Sequence, residues 1–522
     1  MILKRTTYYA IKMKFSTVLF LNTLVASLFF SCTGQKDLPP IEDNVSGPID
    51  IAVSDAEDDN MGYFFILNAN FNHVYETGSI LIVSKDGTRK KSFPISRLGR
   101  SLKIAGNRLL VTFDENEGED QQSKVELYEI TYSSTGDFPE LSHRKTWDFD
   151  GCRPLNSTLR KDYQYFAVAC ESGSILVGTF DSDLSNSKLT EIRKFPTFVR
   201  RALHFDTEKN MLFAFMTDMN VPNYKDRYMK DSRTWNKETQ EMEEGSNEAP
   251  DLFEDTLKVR KRLAEQGNAF HFVAIDLNKP ENLVEGSPVF RELKDVKDEE
   301  LRWMYFNLND KDGNPETPVL STGEDTSSYK YYRANFWEAI PDPSDSTSFY
   351  LSHRGKANED GSSHSNNIVH VKLKAEALTE NQKTEDLFDF TRVFGLAEQK
   401  TSMEYTGHFA FTKVGGKDVL LVNNFRTRRD FDDTPHFSIK AIKADDNESA
   451  SAPTLYKFNQ PYAVLESSKA ADGSYYQFAV SDPGVETDNN ADVHILVSSF
   501  FQDTVKLYKL TSDTGFEHIG DF

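Results

Sequence analysis

Apolar positions along this chain fall in short runs, alternating or continuous, each bounded by Gly, Asn, Asp or Pro. That is the pattern of β-strands rather than of helices. The stretch Arg97–Thr131 sets a template: a short strand (Ser101–Ala105), a tight turn at Gly106–Asn107, a strongly apolar strand (Arg108–Phe113), an acidic loop (Asp114–Gln122) and an alternating strand (Lys124–Thr131). Ser142–Phe149 completes the unit as a fourth strand. Apolar second strands of the same kind recur at Tyr63–Asn68, Tyr163–Cys170, Met211–Thr217, Ser348–His353, Asp418–Asn423 and Val493–Ser499. The last strand of the sixth unit is expected at Thr454–Phe458. Seven units of four strands predict an all-β chain folded as a seven-bladed β-propeller, with six or eight blades as the alternatives. Closing such an array into a ring would also remove its exposed sheet edges.

Two stretches interrupt the pattern. The fourth unit breaks off at about 218 and resumes at Ala269–Asp276, and the 218–268 insertion is expected to be partly helical. Within it Asn247–Gly267 has Pro250 in the first turn, Glu254 and Lys258 paired at i,i+4 and Gly267 as the cap. A second excursion, about 292–332, predicts a short helix at Val296–Phe306 and a turn at Asp310–Asn314. In an antiparallel four-stranded blade the second-to-third loops all emerge on one face, where the connections into the next inner strand also lie. The long loops, including Asp218–Asn268, Arg354–Asn366 and Phe425–Pro435, therefore gather there, and function is expected on that face.

The N-terminus follows a different rule. Lys4, Arg5, Lys12 and Lys14 precede an apolar run, Phe15–Phe30, of export-signal length, with Met13 as an alternative start. The run ends at Ser31–Cys32, which resembles the lipobox of bacterial lipoproteins, although Phe29 and Phe30 stand where that family has Leu and a small residue. The resemblance implies a signal over residues 1–31 and lipidation of Cys32; the mixed polar stretch after it, with Pro39-Pro40, reads as a tether over 32–47, and the strand units place the propeller over 48–522. The resemblance also implies an address in the bacterial cell envelope, at the outer membrane, facing the periplasm or the surface. An ordinary cleaved signal or an uncleaved anchor is the alternative. No later segment is apolar enough to span a bilayer as a helix.

Charge and cysteines fit that address. The formal net charge of −22 argues against a nucleic-acid partner, which needs a basic footprint. Cys152 and Cys170 bracket a predicted hairpin centred on Lys161–Asp162, at a separation a disulfide can close; two buried thiols are the alternative.

Candidate chemistry is sparse. Just before the innermost strands the chain reads Arg100-Ser-Leu, Arg153-Pro-Leu, Arg201-Ala-Leu and Arg333-Ala-Asn, with His408 near that position in another unit. Ring symmetry would gather these side chains around one channel mouth. They would serve either as an anion-binding collar or as ion pairs stapling adjacent blades. His73, His353, His364 and His436 fall on the same face, but without metal-site spacing, and no metal is expected. The acidic loops at Asp55–Asp59, Asp114–Asp120 and Asp430–Asp433 offer calcium only as a minor alternative, and no cofactor is expected. No GxSxG, CxxC, P-loop or HExxH motif occurs.

As architecture, residues 48–522 resemble the exported lactonase-like and YncE-like seven-bladed propellers of bacteria. The reading that follows is a lipid-anchored binding protein rather than an enzyme, taking a small anionic ligand or another envelope protein on its loop-rich face. The alternative is a lactonase-like or other hydrolytic propeller acting on an anionic substrate.

Overall fold

The computed structural model describes residues 43–54, 62–71, 75–114, 123–132, 138–160, 162, 164–171, 174–181, 184, 186–194, 199, 201–206, 208, 210–215, 233–236, 241–244, 272–277, 289–290, 308–309, 336–342, 345–353, 356–357, 363–364, 367–374, 388–395, 404–426, 436–444, 458–466, 477–481, 493–499 and 503–522. Among the described residues seven sheets each contain four antiparallel strands in chain order, one of them with a short fifth strand added, two further two-stranded hairpins stand apart, and no helix occurs. The innermost strands are Pro48–Val53, Gly99–Ala105, Pro154–Leu159, Leu203–Asp206, Phe336–Pro341, Glu404–Val414 and Gln477–Val480. Each touches the next, and the last touches the first, so the ring is closed. The fold is a seven-bladed β-propeller, as the strand grammar predicts.

Why these strands bury so completely follows from the period of two. In blade 1, Phe65 and Leu67 point towards blade 2 and pack with Leu102, Leu109 and Val111. Phe64 and Ile66, on the opposite side, point towards blade 7 and pack with Leu496 and Leu507. A middle strand covered on both faces needs apolar residues at every position, hence the continuous run Tyr63–Asn68, buried throughout. The outermost strand of blade 2, Glu140–Phe149, has a largely solvated face and is correspondingly polar.

Ring closure here uses no shared strand. Blades 1 and 7 are each built from one contiguous stretch, ending at Ile95 and beginning at Gln477 respectively. The apolar seam between them is reinforced by Gly47, whose amide donates to Asp503 Oδ1 at 2.6 Å. The entering chain is docked as well: Asp43 accepts from the Ser92 amide (3.0 Å) and Asn44 from Asn68 Nδ2 (3.2 Å). Residues 43–47, read from sequence as tether, thus pack onto blade 1.

The template hairpin turns where expected, with Gly106 in the left-handed region at φ 54°. The sixth blade departs from expectation: its outermost strand is Phe458–Glu466, further along than Thr454–Phe458. Tyr462 and Leu465 in that strand pack into the core between blades 6 and 7, which fixes the later register. Blade 4 resumes at Phe272–Asp276. The insertion before it contains a hairpin, Arg233–Asn236 with Glu241–Glu244. From the second excursion Leu308–Asn309 adds a parallel fifth strand to blade 5. The helices expected at Asn247–Gly267 and Val296–Phe306, and the signal, lie outside the described residues.

Candidate functional site

Blades 1, 2, 3, 5 and 6 carry a register shift at or near the start of the inner strand, between Pro48 and Asp50, Gly99 and Ser101, Pro154 and Asn156, Phe336 and Glu338, and close to His408. A bulge there re-aims side chains, and polar residues follow it. Polar side chains of the inner strands and of the strands beside them link neighbouring blades. Ser101 Oγ lies 2.7 Å from Ser157 Oγ. Gln477 Nε2 donates to Asp50 Oδ1 at 2.9 Å. Ser352 Oγ donates to the Gly407 carbonyl at 3.2 Å.

Asp50 is the hub. It is fully buried, yet accepts from the Leu102 amide at 2.9 Å and from Arg201 at 3.2 Å, with Lys103 Nζ at 3.6 Å. One carboxylate on the first blade therefore engages blades 2 and 7 and the lead-in to blade 4. Burial alone would raise its pKa. The charges of Arg201 and Lys103, the Leu102 amide and the His408 charge outweigh that, and hold it below the ordinary 3.8.

Glu338 continues the network. His408 donates to it through Nδ1, and Arg201 NH1 lies 3.8 Å away. Arg201 is also stitched to blade 5 by its backbone: its amide donates to the Trp337 carbonyl (2.8 Å) and its carbonyl accepts from the Ala339 amide (3.3 Å). Burial again works against ionisation of Glu338. His408, Arg201 and Lys103 reverse the balance and leave its pKa lowered.

A second cluster sits where the second-to-third loop of blade 2 begins. Asp114, 1% exposed in its side chain, accepts from Arg100 NH2 at 2.6 Å and from Arg153 Nε at 2.5 Å. Arg153 NH1 also reaches Glu171 at 3.2 Å. Arg100 lies over the Phe71 ring, 4.8 Å from its centroid. Behind the cluster, Cys152 and Cys170 are joined by a disulfide with a Cα–Cα distance of 5.1 Å.

The sequence-predicted residues thus divide. Arg201 and His408 meet on Glu338 in the axial network, while Arg100 and Arg153 meet on Asp114 nearer the mouth. They occupy different register positions: Arg100 within its strand, Arg153 one residue before Pro154, and Arg201 two before Leu203. Every described member of the set engages a carboxylate. Arg333, Cys32 and His73 lie outside the described residues, as do the acidic loop stretches 55–59, 115–120 and 430–433. Among the described residues no group of three or more His, Cys, Asp or Glu could hold a metal ion.

Sequence reasoning missed Asp50, Lys103, Glu338 and Gln477. A signal existed: Ile49-Asp50-Ile51 and Trp337-Glu338-Ala339 each place a carboxylate inside an apolar strand, where an unpaired charge would be untenable.

The closed ring with its charged axis defines the class, a seven-bladed β-propeller. No protein-family model matches the sequence, and no curated protein matches it. Similar solved structures are propellers or contain one. The periplasmic gluconolactonase of Pseudomonas aeruginosa is 12% identical, with 85% of this chain and 92% of that one covered at a TM-score of 0.43. A 6-phosphogluconolactonase-type protein of Bacteroides uniformis is 11% identical, covering 90% and 95% at 0.38. Sqt1 of Chaetomium thermophilum, bound to the N-terminus of ribosomal protein L10, is 10% identical, covering 93% and 89% at 0.41.

Proposed function

We propose that this chain is an exported, lipid-anchored binding propeller that takes the acidic group of a ligand or partner protein at the loop-rich mouth. Arg100 and Arg153 would make the contact. The observation carrying this reading is that guanidiniums from adjacent blades converge on one buried carboxylate while their side chains stay 24% and 47% exposed. Asp114 and Glu171 engage Arg100 through Nε and NH2, and Arg153 through Nε and NH1. Arg100 NH1 and Arg153 NH2 are left as further donors, and a planar fork suits a second carboxylate, a phosphate or a sulfate. Arg201 and His408 lie deeper, where an incoming anion would have to displace Asp50 or Glu338.

Calorimetric titration with citrate, inorganic phosphate and a heparin hexasaccharide tests the reading. At least one probe is expected to bind, and the R100M/R153M double variant to weaken it tenfold or more. A wild-type protein that binds none of them, or a double variant with unchanged affinity, would remove it. The anchor has its own test: in cells the wild type is expected to incorporate a labelled fatty acid and Cys32→Ser to lose the label. An unlabelled wild type, or label retained by the variant, would remove Cys32 lipidation as the means of attachment.

A further inference from the structure

The buried disulfide beside the mouth carries an inference that rests on the anionic reading above. We propose that Cys152–Cys170 is the positioning element of this site, holding Arg153 so that its guanidinium lies over Asp114 in a binding-competent pose. Three observations converge on it.

The first is adjacency on both strands. Cys152 directly precedes Arg153 and Cys170 directly precedes Glu171. The antiparallel register, with Pro154 opposite Cys170, brings Arg153 opposite Glu171, and the disulfide ties the chain one residue away from each. Those two residues are linked twice, by the Glu171 amide donating to the Arg153 carbonyl at 2.7 Å and by the side-chain pair at 3.2 Å.

The second is the weakness of the backbone ladder at this point. The pair before the bulge is Pro154 opposite Cys170, and proline has no amide hydrogen to donate. The bulge between Ala169 and Cys170 interrupts the ladder again. Arg153 thus stands one residue outside its strand, beyond the bulge, where the Glu171 amide bonds to its carbonyl. Arg100 shows the contrast. It too sits at a bulge, between the paired residues Gly99 and Ser101, but it rests on the Phe71 ring. Arg100 is steadied by that ring, and on the proposal the disulfide supplies the matching support for Arg153.

The third is burial. Cys152 is 4% exposed and Cys170 fully buried, in the apolar cluster with Trp147 and Phe166. Solvent thiols cannot reach the bond without opening this end of the blade, so it acts as a fixed brace rather than a rapidly exchanging switch.

The test compares the oxidised wild type with C152A/C170A by native-state hydrogen exchange and by the same three anionic probes. The Asp114 amide, which donates to the Leu98 carbonyl at 2.9 Å in the uncross-linked blade 2, is the internal reference. Exchange at the Glu171 amide is expected to rise at least tenfold relative to Asp114. Probe affinity is expected to fall to that of R153M, and adding R153M to the cysteine variant should cost little more, while R100M still should. Unchanged Glu171 protection, or unchanged affinity in the cysteine variant, would overturn the proposal. Failure of the oxidised wild type to bind any probe would instead strike the anionic reading, leaving the exchange result to judge the brace. Should C152A/C170A not fold, C152A/C170V restores apolar volume on the buried side and carries the same readouts.

Discussion

The axis and the mouth place arginine against carboxylate in the same way but at different depths. Arg201 is 11% exposed in its side chain and faces Asp50 and Glu338; Arg153 is 47% exposed and faces Asp114 and Glu171. At the axis the carboxylates are buried and each charge depends on its partner, so the network acts as a fastening. At the mouth, solvent screens the pairs, which is why the proposed anion would compete for the guanidiniums there and not at the axis. The fastening has a definite task, since blades 1 and 7 share no strand and Asp50 joins them through Gln477. Depth separates a structural ion pair from an exchangeable one.

The largest effect should come from breaking the hub. Asp50→Asn leaves Arg201 and Lys103 facing a neutral, buried amide, and removing one member of a buried ionic network costs about 3–5 kcal/mol. Denaturant unfolding measures it, and the double variant D50N/R201M should regain part of the loss. A cost below about 1 kcal/mol would place the axis with the mouth as an expendable pair. Glu338→Gln removes a charged acceptor from His408 and should cost about 2–3 kcal/mol.

Acid should act through the same two groups. The pKa values of Asp50 and Glu338 are held below their ordinary 3.8 and 4.5. Between those values and the lower folded-state ones the unfolded chain binds more protons, so stability rises with pH. Their contribution is complete above the ordinary carboxylate range and is lost as pH falls through the folded-state pKa values. Unfolding free energy measured from neutrality down to pH 2 should drop below about pH 4 in the wild type. The drop should be shallower in D50N, and parallel curves would show that Asp50 does not govern it.

The fold was legible because strand period and turn chemistry are local. Tyr63–Asn68 and Arg108–Phe113 can be read from their own residues and flanking turns. The outer strand of blade 6 was misplaced because Phe458–Glu466 takes its register from Tyr462 and Leu465 packing against blade 7, which is not a local property. The site was legible only in part for a related reason. Arg100 and Arg153 stood out by repetition, but their meeting on Asp114, 14 and 39 positions away, depends on a bulge in one blade and a lead-in to the next. Asp50 and Gln477 are 427 residues apart and meet only once the ring closes.

The smallest effect is also the sharpest probe of the comparison. Glu171 is 24% exposed in its side chain and holds Arg153 NH1 from the solvent side of the cluster. Exposed pairs of this kind contribute about 0–1 kcal/mol, so Glu171→Gln should leave stability almost unchanged. The same substitution removes a carboxylate that competes for the guanidinium, so affinity for an anionic probe should rise severalfold as stability stays level. Gln retains the backbone amide that bonds to the Arg153 carbonyl, which keeps the geometry of the strand end. A loss of stability as large as that of Asp50→Asn would mean that the mouth is fastened like the axis. Unchanged stability with unchanged affinity would mean that Glu171 and the anion do not share Arg153.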